Sequence, residues 1–118
     1  MATSVVTTTI NAHNPVGKWQ MVIGTLAIAA GDYATGGLPI SFANTEIKSS
    51  LPPVTGFIGG KAGYIYSYVP GATKNVGKLL IFQSAAASNP MSELPAAATP
   101  GAVVADSIYF FGFFPLLR

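Results

Sequence analysis

Residues 64–83 read YIYSYVPGATKNVGKLLIFQ. In the first half tyrosine recurs at every second position, Tyr64, Tyr66 and Tyr68, with Ile65, Ser67 and Val69 between. Successive side chains of a strand point to opposite faces, so this period predicts a strand with one tyrosine face. In the second half, Lys78 to Gln83 sets Leu79 and Ile81 against Leu80 and Phe82. Pro70-Gly71 ends the first run, and Gly77 precedes the second. Two such runs joined by a connection holding Pro and Gly predict an antiparallel hairpin with a longish loop.

The same signals continue outward from the hairpin. Upstream, Lys18 to Ala29 is a long aliphatic run. Trp19, Met21 and Ile23 fall on one face and Val22, Leu26 and Ile28 on the other, which predicts burial of both. Gly24 inside it marks a bulge or the close approach of another backbone. Ser4 to Ile10, rich in Thr and Val, reads as an edge strand or as an extended N-terminal arm over residues 1–10, with Asn11 to Pro15 as the following turn. Gly31 to Gly37 is a loop, and Leu38 to Phe42 and Thr55 to Ile58 are short strands. Downstream, residues 84–101 form a long Ala-, Ser- and Pro-rich loop with room for one helical turn around Met91 to Leu94. Loops of that length in a compact domain are usually functional or bound to something. Val103 to Phe114 is apolar on both faces and reads as a central strand. Helix formers are sparse, and 13 Gly and 9 Pro interrupt most windows. The expected fold is all-β, one domain spanning residues 1–118, a small antiparallel β-sandwich or β-barrel of about six or seven strands.

Composition narrows the function classes. Half of the 118 residues are hydrophobic and only 8% are charged, against about 25% in an average soluble domain. Either Ser, Thr, Asn and Gly cover the outside, or much of it faces another chain. The net charge is +2, but the basic residues Lys18, Lys48, Lys61, Lys74, Lys78 and Arg118 are scattered, so no nucleic-acid-tracking face is expected. Residues 1–9 lack a basic region followed by a long apolar one, so no secretory signal is expected there. The apolar stretches Met21 to Gly31 and Ile108 to Leu117 are about half of the roughly 20 residues a membrane helix needs.

Chemistry is scarce. No cysteine is present, which removes disulfides, thiolate metal sites and thiol nucleophiles. The single histidine, His13, lies in the expected turn and is read as bonding local backbone. The four acids, Asp32, Glu46, Glu93 and Asp106, are far apart and read as solvated loop charges, with Asp106 able to cap a turn before the last strand. There is no G-x-S-x-G elbow, and Gly56 to Lys61 does not have phosphate-loop spacing. No enzyme activity, metal or cofactor is expected. A row of Tyr64, Tyr66 and Tyr68 either stacks a sugar or base or packs against protein, and the scarcity of lysine favours packing.

Several pieces follow one another in a telling order: the Thr/Val-rich start, Gly24 to Ile28, Tyr33-Ala-Thr-Gly-Gly37, Gly63-Tyr-Ile-Tyr-Ser-Tyr68, Gly77-Lys-Leu-Leu-Ile-Phe-Gln83 and Ile108-Tyr-Phe-Phe-Gly112. This order resembles the small virion proteins of tailed bacteriophages that decorate or cement the head shell. In that group a Tyr-x-Thr-Gly-Gly loop follows the long second strand, and a Gly-Tyr-x-x-x-Tyr strand pairs with a Gly-Lys-Leu-x-x-Phe strand. The chain departs from the pattern at Leu38-Pro39 and in its loop at residues 84–101. The resemblance implies a homotrimer or homodimer that binds the major capsid protein on the virion surface, after synthesis in the host cytoplasm. The alternatives are another virion part (head completion, tail or fibre-associated) or a carbohydrate-binding β module. A cement protein stabilises a shell by multivalent contact, needs arms that add strands to neighbours, and needs no active site. The residues expected to meet partners are Val5, Val6 and Thr8 of the arm, Tyr33, the row Tyr64, Tyr66 and Tyr68, Met91 and Leu94 of the loop, and the tail leucines Leu116 and Leu117.

Overall fold

The period-two runs become strands, and Gly and Pro sit mostly between them. The computed structural model describes residues 2–43, 47, 51–84 and 91–115. In chain order the elements are β1 (Val6–Val16), β2 (Trp19–Ile28), β3 (Leu38–Pro39), β4 (Thr55–Gly59), β5 (Ile65–Pro70), β6 (Gly77–Ser84), β7 (Met91–Glu93), the short helix α1 (Gly101–Val104) and β8 (Ile108–Pro115). A front sheet runs β1-β2-β8-β4, and a back sheet runs β3-β6-β5 with β7 also paired to β6. Every pairing between these strands is antiparallel. The architecture is all-β and sandwich-like, with eight strands where about six or seven are expected.

The hairpin at residues 64–83 forms as read, with Tyr66 opposite Ile81 and Tyr68 opposite Leu79. At the N-terminus the arm-or-edge alternative resolves to an edge strand, since β1 pairs with β2 of its own sheet from Val6 to Val16. The turn expected at Asn11 to Pro15 is therefore corrected. The strand absorbs Asn11 in a bulge between Ile10 and Ala12. It tolerates Pro15 because an edge strand leaves half of its N–H groups outside any ladder. The reversal falls at Gly17, whose φ of 62° supplies the left-handed backbone of a two-residue hairpin loop.

Two further corrections concern residues 91–104. Met91–Glu93 is a strand rather than a helical turn, because β6 offers it a free edge at Phe82 to Ser84. The helical turn comes later, at α1, so the last strand starts at Ile108 rather than Val103.

The core lies between the sheets. Val22, Leu26 and Ile28 from β2, Leu79 and Ile81 from β6, and Ile108, Phe110 and Phe114 from β8 are all buried there. The Phe42 ring packs at centroid distances of 5.5, 5.3 and 5.5 Å from Tyr68, Phe110 and Phe114. Gly24 marks a close approach, as one of the two sequence readings has it. A Cβ there would overlap the backbone carbonyl oxygen of Thr9 on β1 and stand 2.8 Å from the Phe110 ring, so the glycine admits both the neighbouring backbone and an aromatic ring in a packed interior.

Candidate protein-binding surface

β2 and β8 are neighbours in the front sheet, with Ile23 opposite Phe111 and Met21 opposite Phe113. β4 extends the same rows, with Phe57 opposite Phe111. One face of these strands fills the core. The other holds Trp19, Ile23, Phe57, Tyr109 and Phe111, which are 41–49% exposed. The expectation that both faces of these two long runs are buried is therefore corrected. A two-layer sandwich covers each sheet on one side only, and nothing in this fold forms a third layer over the front sheet among the described residues.

The exposed side chains hold one another in place. Phe57 stacks on Phe111 at 6.0 Å and 23°, and lies 6.1 Å from Tyr109. Phe111 meets Phe113 edge-on at 6.5 Å. β1, β2, β4 and β8 contain no Lys, Arg, Asp or Glu. The five large side chains leave on the order of 400 Å² of apolar surface in water. That lies within the ~300–600 Å² found for the largest apolar patch of a typical monomer, a patch that is often functional.

The tyrosine row points the other way. Tyr66 is buried, and Tyr64 and Tyr68 pack partly buried against the same core. Tyr66 Oη donates to Asp106 Oδ2 at 2.7 Å, and the Lys61 N–H donates to Asp106 Oδ1 at 2.8 Å. Burial pushes the Asp106 carboxyl up, but the N–H groups of Lys61, Ala62 and Ser107 and the Tyr66 hydroxyl outweigh it and hold it below its ordinary value. The Tyr66 hydroxyl is pushed well above the usual tyrosine range, first by burial and then by Asp106. Tyr33 is also buried. Its Oη donates to Glu93 Oε2 at 2.7 Å and accepts from the Ile81 N–H at 3.3 Å. Burial, reinforced by Glu93, pushes it up to about 12. Glu93 also accepts from the Gly36 N–H at 2.8 Å. Asp106 and Glu93 are therefore not merely solvated loop charges: each ties a loop to a core tyrosine.

Of the residues expected at an interface, Tyr33, Tyr66 and Leu94 are corrected, because all three are core side chains. Leu94 directly follows β7, and its N–H donates to the Ile81 carbonyl at 2.9 Å. Val6, Thr8, Tyr64 and Tyr68 are half-buried, with Thr8 Oγ1 donating to the Ser41 carbonyl at 3.0 Å. Val5 and Met91 are exposed. Leu116 and Leu117 lie outside the described residues. His13 is exposed, and its Nδ1 lies 3.2 Å from Gln20 Nε2, a side-chain partner rather than local backbone. Sequence reading missed the outward row of Trp19, Ile23, Phe57, Tyr109 and Phe111. The available signal was the doubly apolar character of two long strands in a chain too short for three layers.

A cleft of about 440 Å³ opens where the free edges of β4 and β5 face each other. Phe57, Ile58, Ile65 and Tyr68 are among its walls. Among the described residues, no group of three His, Asp or Glu side chains converges to hold a metal. Compared with known proteins, the chain matches no family model, no curated protein and no solved structure.

Proposed function

We propose that this chain is a structural virion protein, a decoration or cement subunit that binds the major capsid protein on a phage head and stabilises the shell through multivalent contacts. The observation that carries the reading is the exposed aromatic face of an uncharged front sheet. Such a face is costly in water and marks a chain built to associate with protein, copies of itself included, as a multivalent structural subunit does. The motif order that resembles phage head proteins supplies the shell as partner. On this reading the chain carries no reaction of its own, and its tyrosines and acids serve packing. A sugar-stacking role for the tyrosine row finds no support, because Tyr66 is in the core and its hydroxyl is engaged by Asp106.

The test is a mass-spectrometric count of this chain against the major capsid protein in purified particles. A decoration protein is expected at hundreds of copies per particle, and particles lacking it should rupture at lower temperature. A count of a few to a few dozen would move the chain to the head-completion, tail or fibre class. Its absence from particles, with robustness unchanged, would overturn the proposal.

A further inference from the structure

The outer face of the front sheet has the properties of a contact that fits itself. It is built from four strands. At about 4.8 Å between strands and 3.4 Å per residue, it covers about 500 Å² in plan, and its side chains present more than that. Specific interfaces take about 600–1,000 Å² from each partner, so this face, once the relief of its side chains is added to its plan, reaches the lower part of the range that a stable dimer needs. Its strands carry no charged side chain. Two copies brought face to face therefore meet no like charge, which is the usual obstacle to a surface binding itself. The rings at its centre are already held by mutual contacts between Phe57, Tyr109 and Phe111, so little side-chain freedom is lost on docking. Its apolar centre is flanked by exposed Thr7, Thr9 and Thr25, giving the polar rim of a protein interface. Every copy brings the same surface at the concentration of the protein itself.

We infer that the outer face of the front sheet is the contact between two copies of this chain, packed sheet against sheet about a two-fold axis with Phe111 near its centre. The inference rests on the reading of the chain as a structural subunit and names the first partner of its exposed face. A two-fold contact of this kind is closed, so the product is a dimer and not a trimer. The dimer then presents two copies of the remaining apolar side chains, such as Val54 and Ile65 around the cleft, which are exposed. Two linked sites gain avidity on a repeating lattice.

Trp19 is the sole tryptophan and belongs to this face, so its fluorescence reports on the contact. The experiment combines light scattering after size exclusion with Trp19 emission and acrylamide quenching, using the full chain over a dilution series. The expected result is a dimer whose mass halves on dilution while Trp19 emission shifts to the red and becomes quenchable. Phe111→Lys places two like charges at the axis and is expected to weaken association about 100-fold or more, with far-ultraviolet circular dichroism unchanged. Thr25→Lys, an exposed position on the same face, is the second variant should the first fail to fold. Val76→Lys, exposed in the loop before β6, is expected to leave the dimer intact. A monomer throughout the series, a trimer, or a dimer indifferent to both face variants would overturn the inference. A monomer found on heads would overturn this inference and leave the functional reading standing. A dimer absent from particles would do the reverse.

Discussion

Phe110 and Phe111 are adjacent in β8, identical in chemistry and opposite in fate. Phe110 is 3% exposed, set over Gly24 and against Phe42. Phe111 is 41% exposed and touches only other outward rings, Phe57 and Phe113, among its ring neighbours. The strand pleat alone separates them. The difference teaches that an apolar residue in a strand has two ways to leave water. One is folding, which the back sheet supplies to Phe110. The other is association, which the fold does not supply to Phe111.

Truncation of each ring is the strongest way to break the comparison. Phe110→Ala opens a cavity in the core and is expected to cost about 3–5 kcal/mol of unfolding free energy. Phe111→Ala removes a ring that is 41% exposed and leaves no cavity in the core, and should cost about 1–2 kcal/mol. Urea denaturation at concentrations where only monomer is present measures both. Equal losses would mean that another part of this chain covers the outer face.

How far the fold was legible follows from the same pair. The period of two locates β5 and β6, because strand geometry alternates faces whatever surrounds them, and long runs apolar on both faces locate β2 and β8. It does not say which face is wet when both are apolar, since that depends on the number of layers. Tyr33 and Leu94 were misplaced for a different reason. Each lies in a non-repeating segment, and only the fold brings Tyr33 Oη to Glu93, sixty positions away in sequence. β7 is three residues long, too short for a period to show. The bulge at Asn11 broke the alternation of β1 and made its second half read as a turn.

The inner face has a polar cost of its own, and Tyr66 with Asp106 meets it. The Asp106 carboxyl is held below its unfolded value. A carboxylate depressed in the folded state adds stability that is present above the unfolded value, near 3.9, and is lost as pH falls through the folded one. Stability is therefore expected to drop below about pH 4. Tyr66→Phe removes the hydroxyl donor and should cost about 1–2 kcal/mol at neutral pH. It should also flatten the acid limb, because the mutant's carboxylate loses part of what favours its charged form. At the alkaline end the signs reverse. Tyr33 and Tyr66 are raised in the folded state, so their contribution is present below about pH 10 and lost above it. Urea midpoints from pH 2 to 11 check both limbs. An acid limb identical in Tyr66→Phe would remove Asp106 from the account.

Tyr68 sharpens the comparison most finely, because it shares a strand and a face with Tyr66 and lacks its partner. Its hydroxyl is buried and, among the described residues, has no hydrogen-bond partner. Burial raises it above the ordinary tyrosine value. A buried hydroxyl without a partner forfeits its bonds to water and gains nothing in return, at a cost of about 1–3 kcal/mol. Tyr68→Phe deletes that oxygen and keeps the ring that packs against Phe42 at 5.5 Å. The variant is expected to be as stable as the parent or more stable by up to about 1 kcal/mol, read as a urea midpoint at neutral pH. The contrast with Tyr66→Phe is the informative quantity: the same atom is removed from the same face, and the sign of the effect follows whether an acceptor stands opposite. A clear loss in Tyr68→Phe would show that its hydroxyl is bonded in solution, and that the inner face is satisfied at both tyrosines.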